Sequence, residues 1–345
     1  MKKTILSLIV AAVGTLSCFA QDGFIATLSH GSNLSTFTGE DALAQAYNAA
    51  VDGDVITLSP GVFTAIDINK CITLRGAGCK PMASNGYVPT QVVGRLNIVV
   101  PAEYSSAPTL EGFEALGAVN LKRSGEKMAP INFLKCRFNS EVYGYGVNLN
   151  ATSCIFASNL LSKNYVSFGY LNTTLNCYNC IINSARSDGL YTSSDSYAIG
   201  KIMATNCILG YYDGLPRSVL INCIVIDTYS SNLSSECLAN NCVGMTSSGR
   251  NIFQNVYAPN TMLEGNRPYS SIFKTFADIT TMPYGETYEL TDEAAAKYLG
   301  EDGTQVGVYG GASPFNLTLT NPQITKFSVS SATEGSQLKV KINVE

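Results

Sequence analysis

Along most of the chain the apolar residues fall in short clusters that alternate with polar ones. Gly, Asn, Ser and Pro separate the clusters, a pattern that predicts many short strands and many turns. Residues 39–51 differ: Leu43, Ala46, Tyr47 and Ala50 follow helical spacing, with Glu40 and Asp41 in the first turn, where the helix dipole favours them. Asp52, Gly53 and Asp54 stop this helix. Strands are then expected at 55–58, 66–69 and 72–75, the first ending on Ser59, Pro60 and Gly61 and the last on Gly76. The segment before the helix, 21–37, reads as polar and extended. Further strands are expected at 96–100 and 118–121, a short helix at 292–299, and a turn-rich stretch at 303–311. Two final strands, 327–330 and 338–344, flank a turn at Glu334, Gly335 and Ser336.

One short pattern recurs between these elements. It runs Leu134, Lys135, Cys136, Arg137, Phe138, and returns around Cys154, Cys180, Cys207, Cys223 and, more weakly, Cys242. The steps between these cysteines are 18, 26, 27, 16 and 19 residues, the length of a β-solenoid coil with variable loops. In the first copy period-two alternation sends Lys135 and Arg137 to solvent and Leu134, Cys136 and Phe138 inward. The same register turns the other five cysteines inward as a stacked column of small apolar thiols, and Tyr178 with them. Asn179, Asn206, Asn222 and Asn241, each just before its Cys, are expected to form a second ladder near a turn, because Asn tolerates left-handed backbone.

Other cysteine chemistry is weaker. Cys177 and Cys180 have a C-x-x-C spacing, but a structural zinc site needs about four ligands, no second such pair exists, and the single His, His30, is remote in sequence. No metal or cofactor is therefore expected. Cys71 and Cys79 bracket a tight turn from Arg75 to Gly78 and are either a local disulfide or two further buried thiols. The fold class expected is all-β: a right-handed parallel β-helix with an N-terminal capping helix and a C-terminal strand cap. The expected organisation is a signal peptide at 1–20, the solenoid at 21–285 with its cap helix at 39–51, and a C-terminal capping segment at 286–345.

The helix, the run from Gly53 to Gly61 (GDVITLSPG) and the run from Ile72 to Gly78 (ITLRGAG) resemble the opening of right-handed parallel β-helix proteins of the pectin-lyase-like superfamily. In that family a short helix caps the first coil, and the Asn-Cys-Ile copies are similar to its stacked coils. The resemblance spans residues 39–243. It implies a fold and not a reaction, since the fold hosts several functions. Hydrolases of the superfamily use an Asp cluster that includes an Asp-Asp pair, with a nearby His-Gly. This chain has no Asp-Asp pair, and His30-Gly31 precedes the solenoid. Its lyases bind Ca²⁺ through several carboxylates and use Arg or Lys as base. Here the repeat-region carboxylates are sparse: Glu141, Asp188, Asp195, Asp213 and Asp227.

Charged residues make up only 14% of the chain and the net charge is −4, so nucleic acid is not expected as a partner. Lys2 and Lys3, an apolar stretch at 5–13 and a small residue at Ala20 read as a signal peptide cleaved after Ala20. A lipoprotein acylated at Cys18 is a lesser alternative, because Thr15 stands where such a motif has Leu. No later stretch is long and apolar enough to span a membrane as a helix, and a secreted, periplasmic or cell-surface location is expected. The best constellation for ligand binding is Arg186, Asp188 and Tyr191, followed by Asp195 and Lys201, with Tyr211, Tyr212, Asp213 and Arg217 on the next coil. Carboxylates there suit sugar hydroxyls and tyrosine faces suit sugar rings, while Arg186, Lys201 or Arg217 would serve a lyase as base. The plain alternative is that Asp-Gly makes turns and the charges solvate loops. No catalytic residue is assigned. The expected function is a non-catalytic surface for polysaccharide or a surface protein. A polysaccharide lyase with a reduced site and a structural spacer stand as alternatives.

Overall fold

The computed structural model describes residues 24–79, 89–102, 106–122, 128–164, 173–189, 200–211, 215, 217–227, 233, 236–246, 250–265, 269–275, 279, 286, 288–319, 324–329 and 340–344. The expected signal peptide and Cys18 lie outside these residues.

Two long sheets of stacked parallel strands form a β-helix. The first has eleven strands. Nine of them, from Val55–Leu58 to Leu238–Asn240, run in sequence order, each parallel to the one a coil earlier. The second sheet has fourteen strands and ends at Met262–Gly265. Early coils contribute two short strands to it, such as Arg137–Phe138 and Val142–Tyr145. Both of these pair with the single long strand Ile155–Asn164, whose register shifts between Phe156 and Asn159. From that strand onward each coil crosses the second sheet in one piece.

The N-terminal end is closed by the expected helix, observed at Ala42–Ala49, whose Ala42, Leu43, Ala46 and Tyr47 are buried. Residues 21–37 are more than an extended lead. Ile25–His30 and Asn33–Thr38 form an antiparallel hairpin turning at Gly31, and Ile25–His30 also pairs antiparallel with Val55–Leu58. The hairpin thereby covers the first edge of the first sheet, and its outer strand is almost wholly exposed.

The cysteine column forms as the repeat predicts. Cys136, Cys154, Cys180, Cys207, Cys223 and Cys242 have no solvent exposure and are free thiols. Each S–H donates to the carbonyl two residues earlier, at 3.2–3.4 Å. Cys71 and Cys79 are also buried free thiols, hydrogen-bonded to the carbonyls of Ser106 and Lys135 respectively.

Three expected orientations require correction. Tyr178 is 45% exposed, Leu134 is half-buried rather than inward, and Arg137 is buried rather than solvent-facing. The cause is a corner of the solenoid. Lys135, Ser153, Asn179, Asn206, Asn222 and Asn241 all adopt left-handed backbone, φ +50° to +54°. The corner inserts an extra outward residue, so period two does not run through it. Inward residues lie three apart across it: Phe133 and Cys136, Ala151 and Cys154, Cys177 and Cys180, Ala204 and Cys207. The C-x-x-C spacing of Cys177 and Cys180 is this corner. Arg137 then points outward but is covered.

Beyond Met262–Gly265 the chain turns back along the flank of the second sheet. The short helix expected near 292 is Asp292–Lys297, capped by the Thr291 hydroxyl, which accepts from the Ala294 amide. Ile324–Val329 and Val340–Val344 pair antiparallel, as the two final strands were expected to, in a two-stranded sheet of their own.

Candidate functional site

Of the residues singled out for ligand contact, the structure brings three together through the backbone. Arg186 and Asp188 lie within the strand Ile181–Gly189, not in a loop beyond it, opposite Leu161 and Lys163 of the preceding coil. Tyr211 belongs to the next strand, opposite Ala185. Tyr191, Asp195, Tyr212 and Asp213 lie outside the described residues. Arg217 sits apart, in left-handed backbone (φ +56°) just before the first-sheet strand Val219–Ile221. It faces Glu236 at 3.6 Å with both side chains about half exposed, a pairing that contributes little to stability. Lys201 starts the strand Lys201–Thr205 of the first sheet and is half-buried.

The second sheet's outward face is closed from Ile155 to Val243. Its outward ladder reads Gln91, Glu114, Arg137, then Ile155, Ile181, Ile208, Ile224 and Val243, in register. In the polar part Glu114 and Arg137 are buried and Gln91 is half-buried: the Gln91 amide donates to Glu114 at 2.8 Å, and Arg137 Nε donates to Asn139. One coil edge away, Arg75 and the buried Glu111 form an ion pair at 2.8 Å. The aliphatic part packs under the returning C-terminal segment, against Ile272, Phe273, Leu290, Tyr298, Val306 and Val308.

The first sheet's outward face is open, and sequence reasoning missed it. Residues four before each Cys form one row: Asn132, Asn150 and Asn176, then Met203, Val219 and Leu238. The Asn side chains bond edge to edge, Asn176 to Asn150 at 3.0 Å and Asn150 to Asn132 at 3.1 Å. Residues two before each Cys form a parallel row: Leu134, Thr152, Tyr178, Thr205, Ile221 and Asn240. All of these are half-buried except Tyr178, which stands clear. The signal was present as Asn at a fixed offset from Cys, but the corner had to be known before that offset could be assigned a face.

The cysteine column carries no reactive thiol. Burial raises Cys136 to about 12, and removal from water likewise raises Cys154, Cys207 and Cys242. At Cys180 burial acts in the same upward direction, opposed by donation from the thiols of Cys154, Cys177 and Cys207. A bare charge in an apolar core costs more than weak S–H donors return, so we assign the whole column as neutral. Among the described residues no group of three or more His, Cys, Asp and Glu side chains is placed to hold a metal ion, and no helix is long and apolar enough to cross a membrane.

Comparison with known proteins found no matching family model, no matching curated protein and no matching solved structure.

Proposed function

We propose that the protein is exported and acts, without catalysis, as an extended binding surface for a glycan or another protein. The observation that carries this reading is the unequal treatment of the two sheets. The second sheet's outward ladder from Ile155 to Val243 is sealed by the chain's own C-terminal segment, while the first sheet leaves an in-register field of half-buried Asn, Thr and aliphatic side chains around the exposed Tyr178. A β-face with aligned amides and an exposed tyrosine suits an elongated partner, since amides serve hydroxyls or peptide groups and the aromatic face takes a ring or an apolar side chain. The export pattern at residues 1–20 and the resemblance to the pectin-lyase-like superfamily support the same reading.

The test is a glycan array followed by calorimetry on the hits, with wild type and Tyr178→Ala. Binding that weakens at least fivefold in Tyr178→Ala supports the proposal. Unsaturated products absorbing in the ultraviolet, lost in Arg186→Ala or Arg217→Ala, would replace it with a lyase. Binding that Tyr178→Ala leaves untouched would move the surface elsewhere on the molecule.

A further inference from the structure

The sealed flank has the anatomy of an occupied peptide groove. Its floor is the aliphatic ladder from Ile155 to Val243. Its rim is the left-handed corner ladder. Each hydrogen bond from this rim to the C-terminal segment goes to the segment's main chain. Asn222 Oδ1 accepts from the Glu301 amide at 3.0 Å, and the Asn222 carbonyl accepts from the Gly307 amide at 2.8 Å. Asn179 Nδ2 donates to the carbonyls of Val308 and Gly310, at 2.9 and 2.8 Å. Ser153 Oγ accepts from the Asn316 amide at 3.4 Å, and Lys135 Nζ donates to the Thr318 carbonyl. Three of the segment's glycines lie directly against the groove. A Cβ at Gly300 would lie 2.6 Å from Asn222 Cγ, one at Gly307 2.9 Å from Ile224 Cδ1, and one at Gly311 2.2 Å from Asn206 Nδ2.

The rim addresses carbonyls and amides rather than side chains, so it recognises the main chain of a glycine-punctuated segment that is itself folded into turns, such as Gly303 N–H to the Gly300 carbonyl and Gly310 N–H to the Gly307 carbonyl, with specificity supplied by apolar side chains on the floor. We propose that this flank is a peptide-binding groove, that residues 300–319 are its intramolecular ligand, and that it accepts the same segment in trans from a second copy of the chain. The covalent tether gives the cis segment an effective concentration on the order of millimolar, so exchange with a second copy appears once the tether is cut. This inference is independent of what the open face of the first sheet binds.

A protease recognition sequence placed between residues 275 and 286 of the full chain makes the test direct. After cleavage the C-terminal fragment should co-elute with the solenoid on size exclusion. A fluorescent synthetic peptide of residues 288–319 should then exchange into the cleaved protein, and at least tenfold less into the uncleaved protein. The same peptide carrying Gly307→Val and Gly311→Val should bind at least tenfold more weakly, while one carrying Glu301→Gln and Ser313→Ala should bind as well as the native sequence. The lesions sit on the peptide, so the solenoid stays intact in every arm. Release of the fragment on cleavage with no rebinding, equal uptake by uncleaved protein, or equal binding of the valine peptide would each overturn the proposal.

Discussion

A left-handed residue at each corner decides which side chains of the following strand point inward, and the residue types there reflect how costly that conformation is. Asn enters it readily, whereas Lys135 and Ser153 hold it at φ +54° and +52° without that advantage. The corner asparagines are not equivalent, however. Asn179 is buried and makes two hydrogen bonds to the C-terminal segment, whereas the Oδ1 of the equally buried Asn206 has no partner. Glycine tolerates the left-handed corner, so Asn→Gly removes the side chain's bonds while keeping the backbone. Asn179→Gly should cost about 1–3 kcal/mol more than Asn206→Gly, from the usual worth of two neutral hydrogen bonds, and urea unfolding of the two variants measures the difference. Equal losses would mean that the amide bonds at 179 contribute nothing net. One residue further on, Cys223→Asp should cost a few kcal/mol, on the order expected for a buried carboxyl without a partner. The native thiols of the column should label slowly and become fully reactive only on unfolding. Fast labelling of the folded protein would contradict their burial.

At the level of elements, the two sheets share one inward pattern and differ outward. In the second sheet two apolar residues follow each Cys from 154 to 223, such as Ile208 and Leu209, because both faces of the strand are covered. The prediction is a contrast: Ile208→Asp should destabilise by about 3 kcal/mol or more, and Tyr178→Asp on the open face should stay within about 0.5 kcal/mol of wild type. Comparable losses from both, in the same urea titration, would show that the two faces are not differently covered. The double apolar run was legible in the chain, as were the Cys column, the capping helix and the short helix at Asp292–Lys297. Its meaning was not, because an isoleucine beside an inward residue looks the same whether water or the distant residue Val306 lies over it. The N-terminal hairpin escaped for a similar reason: its outer strand, Asn33–Thr38, is exposed along almost its whole length and carries no apolar alternation to betray it. For the proposed ligand residues the sequence suggested a cluster; in the fold Arg186 and Tyr211 lie on neighbouring strands, while Arg217 lies just before a strand of the other sheet.

On the scale of the whole molecule, the returning segment couples coils that otherwise touch only their neighbours. In a solenoid, stability is a sum of units and nearest-neighbour contacts. Residues 300–319 run from the coil of Asn222 past those of Asn206, Asn179, Ser153 and Lys135 to that of Gly112, where Leu319 lies against the glycine. Unfolding of any one of these coils therefore disturbs a strip attached to all of them. At the root of the strip a clasp holds the last strand: Lys297 donates to the buried Glu264 at 2.7 Å, and the Tyr298 hydroxyl donates to the same oxygen. The hydrogen bond to Glu264 raises the Lys297 pKa, and burial raises that of Tyr298. Burial also takes Cys136 and Cys237 to about 12. All four groups therefore bind their protons more tightly in the folded chain than in the unfolded one. Between the unfolded and folded values the native state holds more protons, so stability must fall as pH rises. The contribution of each group is complete below its unfolded value, 9.0 for the thiols, 10.0 for the tyrosine and 10.5 for the lysine, and is lost above it. The urea midpoint should accordingly begin to fall near pH 9.0 and fall further by pH 10.5. Tyr298→Phe should flatten the later part of that decline and leave the earlier, thiol-driven part in place. A midpoint unchanged up to pH 10.5 would show that neither the buried column nor the clasp governs the alkaline limit of the fold.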